Sequence, residues 1–400
     1  MKELKPGAAR ALFLSTTAFA VSFALWGLIA ALAPTFAQEY GLSAKSKSLL
    51  IAIPVLLGSI GRLPAGMLAD RFGGRKVFSG LLLLTVIPAL GIALSTSYAQ
   101  LLWLGIFLGM AGTSFSIGVS FTSGWFTKDQ QGTALGIYGM GNIGQSIAVF
   151  GAPVLALSFG SWRPVFYVFA GISLFWGLVF YLFARDATST VTAKTLRENL
   201  EVLRRSPLAW VLSLFYFLTF GGFVAFSIYL PTLLKDLFKL DPADAGARTA
   251  GFVLLATLMR PLGGLLADRW GGARVLVGVF ISVAVLGALM GCPFMPTFTV
   301  GALGTAAALG LGNGAVFKLV PEHFPKEVGA VTGLVGAFGG LGGFFPPLVL
   351  GVIRDATGGY SIGFVLLGLT AVACLVVNYV VFLRKLPSIR PTATFEAATR

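Results

Sequence analysis

Two arginines stand where arginine is expensive. Arg62 lies in GSIGRLPAGMLADRFGGRKV, residues 58–77, and Arg260 in ATLMRPLGGLLADRWGGARV, residues 256–275. Each precedes an aspartate, Asp70 or Asp268, by eight residues, so at ~1.5 Å per residue it sits ~12 Å inside an apolar helix. A guanidinium at that depth is tolerated beside a water-filled cavity or a partner. The fifteen Asp and Glu residues fall outside the span interiors or at their edges, so no deep carboxylate is on offer. The pair leaves a positive hole that an anion would fill. Arginine's rigid donor fork suits a planar oxyanion accepting paired hydrogen bonds from both sides. The plainer reading is that each guanidinium holds helix-end carbonyls or snorkels.

Other side chains could serve that centre. Asn142, in GIYGMGNIGQS, and Asn313, in GLGNGAVF, add neutral donors, although either could instead tie helices together. Tyr216 and Phe220, one turn apart, could clamp a flat anion together with Phe115. Lys318 is expected to snorkel to the cytoplasmic edge or to draw anions toward the inner vestibule. Two glycine-rich helices contain Gly139, Gly141 and Gly144, and Gly336, Gly339, Gly340, Gly342 and Gly343. Small residues at such spacing let helices approach closely and narrow any cavity between them. The duplicated Asp-Arg-x-Gly-Gly turns carry Asp70, Arg71 and Arg75, and Asp268, Arg269 and Arg274. They read either as topology-setting loops or as gate contacts with a neighbouring helix end.

The elements that hold these residues follow from composition. Of 400 residues, 56% are hydrophobic and 11% charged, too few polar side chains to clothe a soluble surface. Apolar blocks such as 77–94 and 362–383 run without a charge, and a lipid-exposed backbone must satisfy itself as helix. The pattern predicts an all-α polytopic membrane protein of twelve transmembrane helices. Its N-terminus resembles a signal peptide without a convincing cleavage site and is taken as the retained first helix. With both termini inside, cytoplasmic segments hold 19 Lys and Arg against 7 outside, as the positive-inside rule requires. That count predicts an inner-membrane protein with cytoplasmic termini and explains the net charge of +14 without nucleic acid.

The two arginine segments match at an offset of 198, and GMGNIGQS, 139–146, falls on AFGGLGGF, 337–344, at the same offset. Duplicated six-helix halves follow, the parallel repeats expected of a transporter. The expected divisions are 1–184 and 208–384 for the bundles, 185–207 for a cytoplasmic linker and 385–400 for a tail. Cys292, Cys374 and the single His323 offer no disulfide framework and no metal or haem site. With no nucleophile–base pair in the spans, neither an enzyme nor a cofactor is expected.

The arginines, duplicated turns and glycine segments together resemble the nitrate/nitrite porter family of the major facilitator superfamily, over essentially the whole chain. That resemblance implies that Arg62 and Arg260 clamp nitrate or nitrite, that Phe115, Tyr216 and Phe220 complete the pocket, and that Asn142 lies in the first signature helix. Gly336, Gly339, Gly340, Gly342 and Gly343 belong to the second, where Gly340 stands in place of an expected asparagine. It further implies a monomer in lipid that moves its substrate by alternating access. Proton-coupled nitrate uptake is the leading expectation, nitrate/nitrite antiport the second. Transport of another small oxyanion, or a nitrate sensor, ranks lower.

Overall fold

In a bilayer the uncharged windows can satisfy their backbones only as helices, and twelve long apolar helices form. The computed structural model describes residues 4–187, 198, 201, 204–240 and 242–384. Its spans are α1 (Ala8–Glu39), α2 (Leu49–Phe72), α3 (Gly74–Ala93), α4 (Tyr98–Ser123), α5 (Lys128–Phe159) and α6 (Arg163–Phe183). They continue as α7 (Pro207–Pro231), α8 (Asp244–Trp270), α9 (Gly272–Leu289), α10 (Met295–His323), α11 (Val328–Pro346) and α12 (Ser361–Leu383). The expected linker 185–207 lies largely, and the tail 385–400 wholly, outside the described residues.

An even number of spans brings the start of α1 and the end of α12 to one face, here termed the basic face. The duplicated turns lie on it. Gly73 and Gly271 link α2 to α3 and α8 to α9 with φ/ψ of 87°/142° and 86°/136°. Positive φ of this kind is cheap only for glycine, which is why each turn carries one.

Three spans of the first six are not uniform helices. α2 breaks at Gly61, directly before Arg62. α4 and α5 each contain a 3₁₀ turn, Gly109–Thr113 and Met140–Asn142. Such turns redirect carbonyls from the regular ladder, and all three irregularities adjoin the arginines. Their counterparts α8, α10 and α11 run on as continuous α-helix.

Glycines set where the spans cross. Gly66 of α2 lies against the Gly329 carbonyl of α11, and Gly264 of α8 against the Gly132 carbonyl of α5. Likewise Gly333 meets Arg62 and Leu63, while Gly136 meets Arg260 and Pro261. A side chain at any of these positions would overlap backbone. The crossings are related by repeat, with one adjustment to the constant offset read from sequence. Gly144 over Ala20 corresponds to Gly342 over Phe217, so the α5/α11 offset is 342 − 144 = 198 there. At the arginines, Gly139 touches Arg260 and Gly336 touches Arg62, an offset of 336 − 139 = 197. The 3₁₀ turn at Met140–Asn142 separates the two stretches.

Candidate functional site

Arg62 and Arg260 are 1% and 2% exposed, among the largest fully buried side chains of the protein. Sequence reading found no protein partner for either, and the structure corrects this. Arg62 Nε donates to the Gly112 carbonyl at 3.0 Å and Nη1 to the Gly336 carbonyl at 2.7 Å. Arg260 Nη1 donates to the Gly139 carbonyl at 3.3 Å. Asn142 completes its shell once the amide is oriented oxygen-inward, the arrangement that pairs acceptor with donors. Oδ1 then accepts from Nη2 at 2.5 Å and Nη1 at 2.6 Å. Backbone carbonyls are thus real partners, two of them at the 3₁₀ turns of α4 and α5 and the third, Gly336, inside α11. All these acceptors are neutral, so they satisfy donors while leaving both charges in place. Both guanidinium groups lie over the one Phe220 ring, so two like charges share the centre.

Aromatic rings lie over both guanidinium groups. The Phe220 ring lies 4.9 Å from Arg62 Cζ and 5.3 Å from Arg260 Cζ, so one ring serves both cations. Phe115 sits 5.7 Å from Arg62 Cζ and runs near-parallel to Phe220, 6.3 Å away and tilted by 12°. Tyr216 stacks on Phe220 at 4.9 Å and 2°. Its hydroxyl lies beside Arg260 without making a hydrogen bond of ordinary distance and angle. Two members were not picked out by sequence. Phe223 is 5.3 Å from Arg260 Cζ, and Phe317 stands edge-on to Phe115 at 4.7 Å and to Tyr216 at 4.6 Å. Both sit at helical spacing from chosen residues, Phe220 and Asn313. The Gly112 carbonyl gave no signal, because a backbone acceptor has no sequence signature.

The glycines divide into two groups. Gly139 and Gly336 leave room for the Arg260 and Arg62 side chains, and Gly340 of α11 faces Ser59 of α2. Gly141, Gly144, Gly339, Gly342 and Gly343 instead seat α5 on α1 and α11 on α7, against Phe19, Ala20, Tyr216, Phe217 and Val224. Those five set the helix packing around the site, Gly339 directly behind Tyr216 and Phe220.

On the basic face, each turn aspartate bonds backbone N–H groups of a helix across the molecule. Asp70 accepts from Gly329 N and Ala330 N of α11, both at 3.1 Å, and from Ser120 Oγ at 2.6 Å. Asp268 accepts from Gly132 N at 3.1 Å, Thr133 N at 2.7 Å and Thr133 Oγ1 at 2.8 Å, all of α5. Gly329 and Ala330 are in the first turn of α11, so Asp70 satisfies orphan donors there, whereas Gly132 and Thr133 are in the second turn of α5, near the positive end of its dipole. Arg75 Nε turns instead to the Tyr181 carbonyl at the end of α6, and Arg71 lies over the Phe72 ring. Arg269 and Arg274 are exposed. Lys318 departs from expectation. It is 7% exposed, pairs with Asp268 Oδ1 at 3.1 Å and donates to the Lys128 carbonyl, so it neither snorkels to water nor stands free for an anion.

Twelve spanning helices closed around one buried, cationic centre define a polytopic secondary transporter working by alternating access. The chain belongs to the Major Facilitator Superfamily, whose family description matches residues 14–246 and 212–400. It is 42% identical over 368 residues to the "Nitrite extrusion protein" of Bacillus subtilis, covering 91% of this chain and 92% of that one. It is 38% identical to the "Probable nitrate/nitrite transporter NarK2" of Mycobacterium tuberculosis, over 92% and 95% of the two chains. Among solved structures, the human organic anion transporter MFSD10 superposes with a TM-score of 0.81 at 15% identity, covering 94% of this chain and all of that one. The fucose:proton symporter FucP in its outward conformation gives 0.74 at 16%, over 92% and 99%.

Proposed function

We propose that the protein carries nitrate, and nitrite as a related substrate, across the bacterial inner membrane by alternating access. One observation carries the reading: Arg62 and Arg260, at equivalent places in α2 and α8, share the Phe220 ring and have only neutral hydrogen-bond acceptors. Two like charges in a buried centre repel, and a monovalent anion between them replaces repulsion with attraction. At ~4 Å and an effective dielectric of ~20, each such attraction is worth ~4 kcal/mol before desolvation. Phe115 and Phe220 lie near-parallel beside Arg62, flat apolar faces that favour a small planar anion over a bulky one. Relatives named for nitrate and nitrite at 37–42% identity support the same choice.

The chain forms two six-helix halves, 1–184 and 208–384, that rock about this centre with the basic face and both termini in the cytoplasm. The anion is the element both halves share, so binding favours closure. Uptake of nitrate with protons remains the leading mode, since an anion entering against the membrane potential needs an added driving force. Nitrate/nitrite exchange is the second reading. It needs no titratable group in the pathway, and a 37% identical relative from Thermus thermophilus is named "Probable nitrate/nitrite antiporter NarK1".

The test is nitrate uptake into proteoliposomes at imposed pH gradients, with and without trapped nitrite. Proton-driven uptake into nitrite-free vesicles is expected. Uptake only with trapped nitrite would establish exchange, and no uptake under either condition would reject the nitrate reading.

A further inference from the structure

Asn313 is 2% exposed, and among the described residues neither its Nδ2 nor its Oδ1 has a hydrogen-bond partner. A carboxamide offers two donors and an acceptor, and buried groups of this kind are paired in native proteins by protein, water or ligand. Its position says which. Phe317, one turn along α10 on the same face, touches Phe115 and Tyr216 in the central site.

The repeat locates Asn313 more closely. Gly112 of α4 packs on Gly58, and Gly310 of α10 packs on Ala256, both pairs related by 198. Ser120 bonds Asp70 and Lys318 bonds Asp268, again related by 318 − 120 = 198. The α10 register is therefore fixed on both sides of Asn313, and its counterpart is residue 313 − 198 = 115. Phe115 is one of two rings over Arg62. By the repeat, the amide of Asn313 takes the equivalent place on the Arg260 side.

We propose that Asn313 is a specificity-determining residue of the anion site, its Nδ2–H donating to an oxygen of the bound oxyanion on the Arg260 side. The inference rests on the oxyanion reading above and adds an asymmetric mode of binding to it. The flat anion stacks toward Phe115, while the opposite edge is read by an amide. Asn142 already takes two donors of Arg260, so an anion on that side lacks a full fork, and Asn313 Nδ2–H supplies a further donor. Nitrate turns an oxygen to each of three sides, whereas nitrite has oxygen on two and a weaker nitrogen acceptor on the third, so Asn313 favours nitrate over nitrite.

The experiment is calorimetric titration of the purified, detergent-solubilised protein with nitrate and with nitrite, alongside thermal melts with and without nitrate. Three proteins are compared: wild type, Asn313→Leu and Asn313→Ser. Asn313→Leu, close to isosteric, is expected to weaken nitrate binding about 10-fold, nitrite distinctly less, with Asn313→Ser in between. The ligand-free melting temperature stays level or rises, because an unpaired amide has gone, while the nitrate-induced rise shrinks. Unchanged affinities, or equal losses for both anions with a lower ligand-free melting temperature, would overturn the inference alone. Wild-type protein binding neither anion would instead overturn the nitrate reading, and this inference with it.

Discussion

Arg62 Nη1 meets the carbonyl oxygen of Gly336 at 2.7 Å, joining α2 to α11 across the middle of the protein. Arg260 and Gly139 repeat the contact between α8 and α5 at 3.3 Å. Each buried cation is thus bonded to the opposite set of six spans, and each cross-link passes through a glycine that leaves space for the arginine stem. Movement that separates α2 from α11 and α8 from α5 must stretch these bonds, so the two arginines report the state of the interface.

Replacing Arg62 or Arg260 by lysine should lower nitrate affinity by about 10-fold or more, although the charge is kept. Lysine lacks the planar fork that bonds two acceptors at fixed geometry. Nitrate titration of both single variants measures this. Affinity within a factor of two of wild type in each would remove the paired-fork account.

Phe220→Leu should weaken both the empty and the loaded protein. The ring faces two guanidinium groups, and each cation–π contact is worth ~0.5–2 kcal/mol, depending on desolvation. A lower ligand-free melting temperature together with weaker nitrate binding is expected. A drop in affinity alone would restrict Phe220 to the ligand.

Gly66→Ala and Gly264→Ala should open the basic face. Their new Cβ atoms would overlap the Gly329 and Gly132 carbonyls, and relieving such overpacking costs ~1–3 kcal/mol. Spectroscopic distances between labels on the basic-face ends of α2 and α11 for Gly66→Ala, and of α8 and α5 for Gly264→Ala, should lengthen, and transport should slow. Gly278→Ala, where a Cβ meets nothing within 4 Å, is the control. Equal distances in all three proteins would show that these crossings do not set closure.

Lys318→Met should destabilise the protein by ~3 kcal/mol, because it leaves the Asp268 carboxylate buried without its cation. Adding Asp268→Asn should recover part of that loss, which a double-mutant cycle of chemical denaturation would read. Full additivity of the two substitutions would mean that the ion pair contributes nothing.

Much of this arrangement was legible in the sequence. Hydropathy determined the twelve spans, because lipid leaves an apolar chain no other way to satisfy its backbone. The spacing of Arg62 and Arg260 before Asp70 and Asp268 determined their depth, since rise per residue in a helix is fixed. Tertiary structure alone decided what those arginines touch. The carbonyls of Gly112 and Gly139 lie in and beside 3₁₀ turns, and a backbone oxygen has no letter in the sequence. It also paired Lys318 with Asp268, fifty residues apart, where composition suggested a snorkelling cation. The repeat showed that the two halves correspond. Which equivalent residues differ in role, as Phe115 and Asn313 do, depends on side chains from separate helices meeting at one point, and only packing fixes that meeting.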